Sequence, residues 1–545
     1  MSNILTCNKD GRQHTYRFPW ANFTELLRER ADSDPDRPAL VFRDVDSEDR
    51  TSLTYGELDR RTAEIAATLH NRHGIQPGDC VSLALPNCLE IPLITLALFR
   101  LGATSVPLDL KRDTPDRKRF KIEDSGSRLL CTLPGNVDEE RQTLPDIQII
   151  STDDLVPEDG GAPANLEPAW SGISDHEQHT NVVLYTSGTT GTPKGACLTR
   201  QSLTSNADGI IQWLGFDETD RLSLVLPLHH VNSTVFSLTM IMVGGTLILN
   251  SRYSLHKFWP IIQEERVTAT SIVPTIMHDL NAHETGPEDG DLKHLRKIMI
   301  GSAPVPAGAA CRFVERFGIK LVQGYGTTEV SLRVTGIPPN LDDSTYQYLL
   351  QENSIGRELV NCNLAIDGEP DEGELGEILV RGPVVAGGYL NQEEATREAF
   401  TDEWFRTGDI GCWREVGGEK YYFIHGRAKE IIIKGGVNIS PIAVENALVE
   451  SVTEITAAYV IGVPSERWGE EICAAVVFDK NVEPVRYDEI QQAIVYRATA
   501  GEIPGLSPFE APASIFQIDE DALPKTSTGK VQRSLLKDIL LPNEV

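Results

Sequence analysis

Apolar positions along the first hundred residues switch between two periods. In Ala21–Ala31 and Tyr55–His73 they recur every three or four residues, which predicts amphipathic helices. Cys80–Leu85 and Val106–Leu108 are short apolar runs and predict strands, while Leu89–Leu101 predicts a largely buried helix. Alternating β and α signals predict a layered α/β fold. Residues 132–180 are rich in Asp, Glu, Pro and Gly and predict a surface excursion. The apolar strand Val182–Tyr185 then runs straight into a loop of Thr, Ser and Gly, and α/β signals continue to about residue 340. Residues 341–354 predict loop, and 360–424 predict short strands with glycine turns, a β-rich subdomain over about 355–424. After Gly426 the pattern restarts, with strands at Ile431–Lys434, Ala457–Gly462 and Cys473–Asp479 and helices at Pro441–Ser451 and Asp488–Ala500. The expectation is a large layered α/β N-terminal domain over residues 1–428, β-rich at its end, joined to a small α+β domain over 429–545.

Ile91–Leu108 is broken by Arg100, and Phe236–Leu249 by Gly244 and Gly245, so neither reaches the unbroken length of a spanning helix. The N-terminus carries no signal-type apolar core. The nine cysteines are scattered without a CxxC, which excludes a dense disulfide scaffold and gives no zinc spacing. A cytosolic protein, monomeric or homodimeric, is expected. The net charge of −30 argues against nucleic acid and anionic membrane as partners. It leaves small anionic substrates open, because a few local cations overrule a global field.

The strongest local signal is Thr186-Ser187-Gly188-Thr189-Thr190-Gly191-Thr192-Pro193-Lys194-Gly195. Glycines let backbone N–H groups approach an anion, hydroxyls add donors, and Lys194 adds charge. This is polyphosphate chemistry, although the spacing is not that of a Walker A loop. The string resembles the signature loop of the adenylate-forming enzymes: acyl- and aryl-CoA synthetases, luciferases and peptide-synthetase adenylation domains. Further pieces appear in that family's order from about residue 20 to about 540.

Gly324-Tyr325-Gly326-Thr327-Thr328-Glu329 resembles the family's YGxTE element. The resemblance implies that Tyr325 stacks on adenine, Thr328 contacts the α-phosphate and Glu329 binds Mg²⁺. Gly301-Ser302-Ala303-Pro304 resembles the segment lining the adenine and acyl sites, and the nucleotide set implied also includes Ala303, Gln323 and Gly324. Thr407-Gly408-Asp409, read alone, is as well a β-turn. With Gly426-Arg427-Ala428-Lys429-Glu430 some twenty residues on, it resembles the elements in which Asp409 holds the ribose, Arg427 contacts ribose and phosphate, and Lys429 is the interdomain hinge.

Leu523–Lys530 resembles the element whose last lysine, Lys530, enters the site for the first half-reaction; the alternative is a solvated surface lysine. Leu226–Asn232 resembles the segment that supplies an aromatic gate, here His230. Adjacent histidines on a strand point to opposite faces, so a His229–His230 metal site is not expected. The implied acyl pocket is His230, Val231, Asn232, Gly301, Gly324 and Val330. Gly435 and Gly436 resemble the loop that lets a pantetheine arm pass.

The activity implied is activation of a carboxylic acid by MgATP to an acyl-adenylate, then transfer to CoA, with Lys194, Thr328, Glu329 and Lys530 as the catalytic set. The alternatives are loading of a carrier-protein thiol and a catalytically dead relative, although Lys194, Glu329, Asp409, Arg427 and Lys530 are all present. A glutamate, Glu510, replaces a usual lysine near the expected CoA side. Pocket composition does not size the acid, and a short dicarboxylate held by Arg252 or Arg333 stays open.

Overall fold

The computed structural model describes residues 3–7, 13–155, 178–186, 193–283, 286–287, 292–303, 305–401, 403–525 and 531–540. Helix Tyr55–Asn71 starts at a capping box in which Thr54 and Glu57 satisfy each other's backbone N–H groups. Helix Glu90–Leu101 stops at Gly102, whose φ of 64° suits glycine, and the chain turns directly into strand Thr104–Pro107. The apolar run thus breaks into a helix and a strand of one layered unit. No described helix is long and apolar enough to cross a membrane.

Six described strands form one sheet in the order 194–199, 180–186, 104–107, 80–84, 127–132, 149–151. All neighbours are parallel except the first pair, where Lys194 is the register partner of Thr186. A second sheet has a parallel centre, in the order 321–325, 297–300, 269–272, 221–224, 246–250, 38–43. From 321–325 the hydrogen bonding continues through 335–336 and 354–358 into an antiparallel region made of 419–427, 404–416, 376–381 and 363–366. The N-terminal part is therefore α/β with a β-rich end.

Beyond Arg427 a separate sheet orders 437–439, 432–434, 469–478 and 455–465, with 514–517 parallel to 469–478. Helices Pro441–Ser451 and Tyr487–Thr499 cover it. Val444, Leu448, Ile472, Ala474, Val476 and Ile494 close a core that draws on this region alone.

Two expectations are corrected. Residues 341–354 are not loop, because Asp343–Gln351 is a helix. Asp342 caps it by accepting from Thr345 N, and Tyr346, Leu349 and Leu350 bury an i, i+3, i+4 stripe. The stretch 132–180 is not wholly an excursion either. Ile149–Ser151 is a buried edge strand beside 127–132, a three-residue signal too short to stand out among polar neighbours.

Candidate active site

The phosphate-type loop joins two antiparallel strands. Ser187, Gly188, Thr189, Thr190 and Gly191 lie outside the described residues, but Thr186 and Lys194 face each other at the strand ends. The chain at 386–390 returns along the outer edge of strand 194–199. Gly387 N donates to Cys197 O, Cys197 N to Gly388 O and Leu390 N to Gly195 O, at 2.8, 3.0 and 2.8 Å. This return delivers Tyr389. Lys194 Nζ lies 4.9 Å from the Tyr389 ring centroid, and Tyr389 Oη donates to Glu329 Oε1 at 3.0 Å. Ala386 N donates to the Glu329 carbonyl at 2.8 Å, fixing the backbone that carries the carboxylate. Tyr389 was missed from the sequence, where a tyrosine in a Gly-Gly-Tyr turn carries no spacing signal.

The second cluster is a cross-strand device. Thr407-Gly408-Asp409 is not a turn, because it sits within strand Trp404–Val416, with Gly408 at φ 71°. Asp409 is the register partner of Arg427 on strand Glu419–Arg427, which explains the spacing of the two elements. Arg427 Nε reaches Asp409 Oδ1 at 2.7 Å, and Tyr325 Oη donates to Asp409 Oδ2 at 2.5 Å. Burial pulls the Arg427 guanidinium down, but Asp409, Tyr325, Glu329 and Glu430 outweigh it and hold it above its usual range. Burial first, and then the Asp409 charge, pushes the Tyr325 hydroxyl far up, so it stays a proton donor. Because Glu329 acts on both Arg427 and Tyr389, the two clusters form one site.

This site lies at the carboxyl ends of parallel strands 297–300 and 321–325, the usual crevice of an open α/β sheet. Gly301 follows one strand and Gly324 lies near the end of the other. Ser302 adopts φ 67°, a left-handed turn that is strained for a non-glycine residue and places Ala303 beyond the strand. Gln323 is buried and its Nε2 donates to Asn353 Oδ1 at 2.9 Å, so that amide group is engaged inside the protein. Thr327, next to Thr328, has a buried hydroxyl with no partner among the described residues.

The expected acyl residues cluster on helix Val231–Val243 and the strand ends. Val231 and Asn232 are buried, Asn232 Nδ2 donating to Ser271 Oγ at 3.1 Å, and Val330 is fully buried. His229 and His230 are not on a strand. They lie in the turn before the helix, with ring centroids 5.0 Å apart, so the opposite-faces argument does not hold. Burial, and then the neighbouring His229, push His230 down to about 3, so it is neutral at pH 7. No group of three or more His, Cys, Asp or Glu suited to a metal exists among the described residues. A single carboxylate, Glu329, beside the Thr328 hydroxyl fits a hard cation whose remaining ligands come with a polyphosphate.

Arg252 is exposed at the surface and already paired with Asp46. Arg333 is 2% exposed and sits against Gly301 and Gly324.

On the C-terminal side, Lys434 pairs with Val437 and Gly435-Gly436 forms the two-residue hairpin turn, with φ of 56° and 83°. The turn alone accounts for both glycines. Lys429 is exposed, in the turn after strand Glu419–Arg427. Lys530 lies outside the described residues. On either side of its segment, Lys525 and Val531 form an antiparallel bridge, and Arg112 of the N-terminal part donates to Lys525 O and, at 3.2 Å, to Gln532 Oε1. Glu510 is held locally by Ser507 Oγ at 2.7 Å.

Fold and site together define an enzyme that activates an acid on a nucleotide. The chain belongs to the AMP-binding enzyme family, which matches residues 27–390, with the AMP-binding enzyme C-terminal domain at 443–530. It is 33% identical over 491 residues to feruloyl-CoA synthase of an Amycolatopsis species, covering 88% of this chain and 92% of that one. It is 32% identical over 533 residues to a long-chain-fatty-acid–CoA ligase of Mycobacterium tuberculosis, covering 95% and 98%. Among solved structures, o-succinylbenzoate–coenzyme A synthetase from Bacillus subtilis with ATP and magnesium ion superposes with a TM-score of 0.78 at 28% identity, covering 94% of this chain and 99% of that one. Relatives named for an aromatic and a long-chain acid stand at nearly equal identity, so overall similarity does not select the acid.

Proposed function

We propose that the residues of this site join a carboxylic acid to CoA in two steps. The protein is an AMP-forming acid–CoA ligase. In the first step a carboxylate oxygen attacks the α-phosphorus of ATP, the bond to the bridging oxygen breaks, and pyrophosphate leaves. In the second, a thiolate sulfur attacks the acyl carbon, the carbon–oxygen bond to the nucleotide breaks, and AMP leaves.

Tyr325, Asp409 and Arg427 would hold adenine and ribose. Lys194, Thr186, Thr328 and the loop at 187–191 would face the phosphates. Glu329, braced by Tyr389, would hold Mg²⁺, which supplies positive charge among the phosphate oxygens when bound with ATP. Lys530 would add charge as pyrophosphate departs. The chain would then turn at Lys429 and present the Gly435–Gly436 hairpin to the thiol. Positioning and fixed charge carry both steps, so no acid–base triad is needed.

The observation that supports this reading most is the convergence of Lys194, Tyr389, Glu329, Arg427, Asp409 and Tyr325 from two sheets and from segments that sequence separates widely. The test is MgATP-dependent pyrophosphate release with a panel of carboxylic acids, with and without CoA. Release with thioester formation on CoA supports it. No release with any acid sinks it, and thioester formed only on a carrier protein moves the acceptor.

A further inference from the structure

Arg333 is a buried cation with one edge left without a partner among the described residues. Asn206 clamps its backbone: Asn206 Nδ2 donates to Arg333 O at 2.7 Å, and Arg333 N donates to Asn206 Oδ1 at 3.3 Å. Its Nη1 donates to the Gly324 carbonyl. Nε and Nη2 are buried and have no partner among the described residues. No described carboxylate pairs with it. Burial alone displaces its titration, pulling the guanidinium down to about 10, so it is charged at neutral pH. An isolated buried charge is costly, and buried charges are as a rule paired, so an unpaired one points to a missing partner.

The two unpartnered atoms form one edge of the guanidinium. Nε–H and Nη2–H point in parallel and form the fork that an oxyanion occupies with two oxygens. The surroundings are shaped for the guanidinium. A Cβ at Gly301 would collide with the guanidinium and lie 2.6 Å from the Gly324 carbonyl oxygen. A Cβ at Gly324 would lie 2.8 Å from Thr335 O and 3.1 Å from Trp213. Glycine at both positions, each in the set that the resemblance implies for the acyl pocket, makes room for a charged side chain.

We propose that the acid this enzyme activates carries a second anionic group, a carboxylate or a sulfonate, and that Arg333 binds it through Nε and Nη2. The proposal rests on the ligase reading above. The reacting carboxylate faces the α-phosphate, and the second anion faces Arg333, so the substrate is a dianion. Both sources of the second anion share the chemistry of a charged oxygen pair.

The test uses the full-length protein with MgATP and CoA and measures kcat/KM for matched acids: propionate against malonate, butyrate against succinate, and sulfoacetate for the sulfonate source. A dianion should exceed its monoanionic partner by at least about a hundredfold, since a site built for a polar group rejects an analogue that lacks it. Arg333→Leu should abolish that preference chiefly through KM of the dianion while raising use of the monoanion, and Arg333→Lys should restore part of it. Malonate or succinate active with sulfoacetate inactive assigns the carboxylate; the reverse assigns the sulfonate. Preference for a monoanion, or an Arg333→Leu variant that folds and loses all acids equally, overturns the proposal and leaves the ligase reading standing. Absence of pyrophosphate release with every acid, long-chain and aromatic monoacids included, instead overturns the ligase reading and this proposal with it.

Discussion

Tyr325 and Asp409, 84 residues apart in the chain, share a 2.5 Å hydrogen bond. With Arg427 on the other carboxylate oxygen, Asp409 is held from both sides, and its carboxylate is fixed before a nucleotide arrives. The pair ties the parallel sheet to the antiparallel region, so the proposed nucleotide site also joins two parts of the fold.

Tyr325→Phe keeps the ring and removes the bond. Hydrogen bonds to charged groups contribute about 1.5–3 kcal/mol, so urea unfolding should show a loss in that range. The apparent KM for ATP should rise as well, because Asp409 loses its orientation. An unchanged urea midpoint together with unchanged KM would remove this role.

Tyr389→Phe tests the link between Lys194 and Glu329. It keeps the ring under the ammonium and removes the donor to the carboxylate. At a half-buried site that loss is worth about 1 kcal/mol, or about fivefold in the adenylation rate, with a raised requirement for Mg²⁺. Pyrophosphate release titrated with Mg²⁺ reads both effects.

Lys530→Ala should cripple adenylation and spare thioester formation from pre-made acyl-adenylate. Arg112→Ala should do the same more mildly, because Arg112 anchors Lys525 and Gln532 against the N-terminal part. Single-turnover assays of each half-reaction separate the outcomes, and equal loss in both steps would refute the assignment.

Gly436→Ala separates a turn from a thiol channel. A Cβ there meets nothing within 4 Å, but φ of 83° makes the substitution strained by about 1 kcal/mol. If the hairpin admits the thiol, CoA transfer should fall far more than stability does. Transfer that follows stability alone would reduce the glycine to its turn.

His230 predicts an acid-side effect. In the unfolded chain it protonates near about 6.5, and in the fold only near about 3. Between those values the unfolded state binds the extra proton, so stability falls as pH drops from about 6.5 toward about 3. Urea midpoints for wild type and His230→Asn should therefore diverge in slope across pH 7 to 5, the wild type falling more steeply. Parallel slopes would show that His230 is not held neutral by burial.

Local periodicity was enough to reveal helix Pro441–Ser451 and strand 80–84, because their apolar spacing is set within a few residues. It missed helix Asp343–Gln351, whose stripe is only Tyr346, Leu349 and Leu350. It also misplaced the two histidines, because the turn that holds them depends on the packing of helix Val231–Val243.

The sequence by itself determined the chemistry available: a glycine–hydroxyl–lysine loop, a carboxylate for a cation, and a carboxylate and an arginine some twenty residues apart. The spacing of Asp409 and Arg427 is legible because one hairpin makes them register partners. Tertiary structure decided what lies between distant segments. It brought Tyr389 between Lys194 and Glu329, sent Arg252 to the surface, and buried Arg333 against Gly301 and Gly324. The physical reason is that burial and pairing are properties of what surrounds a side chain. Two arginines written alike in the chain differ only once the sheets assemble, one exposed and paired with Asp46, the other buried with no counter-charge among the described residues.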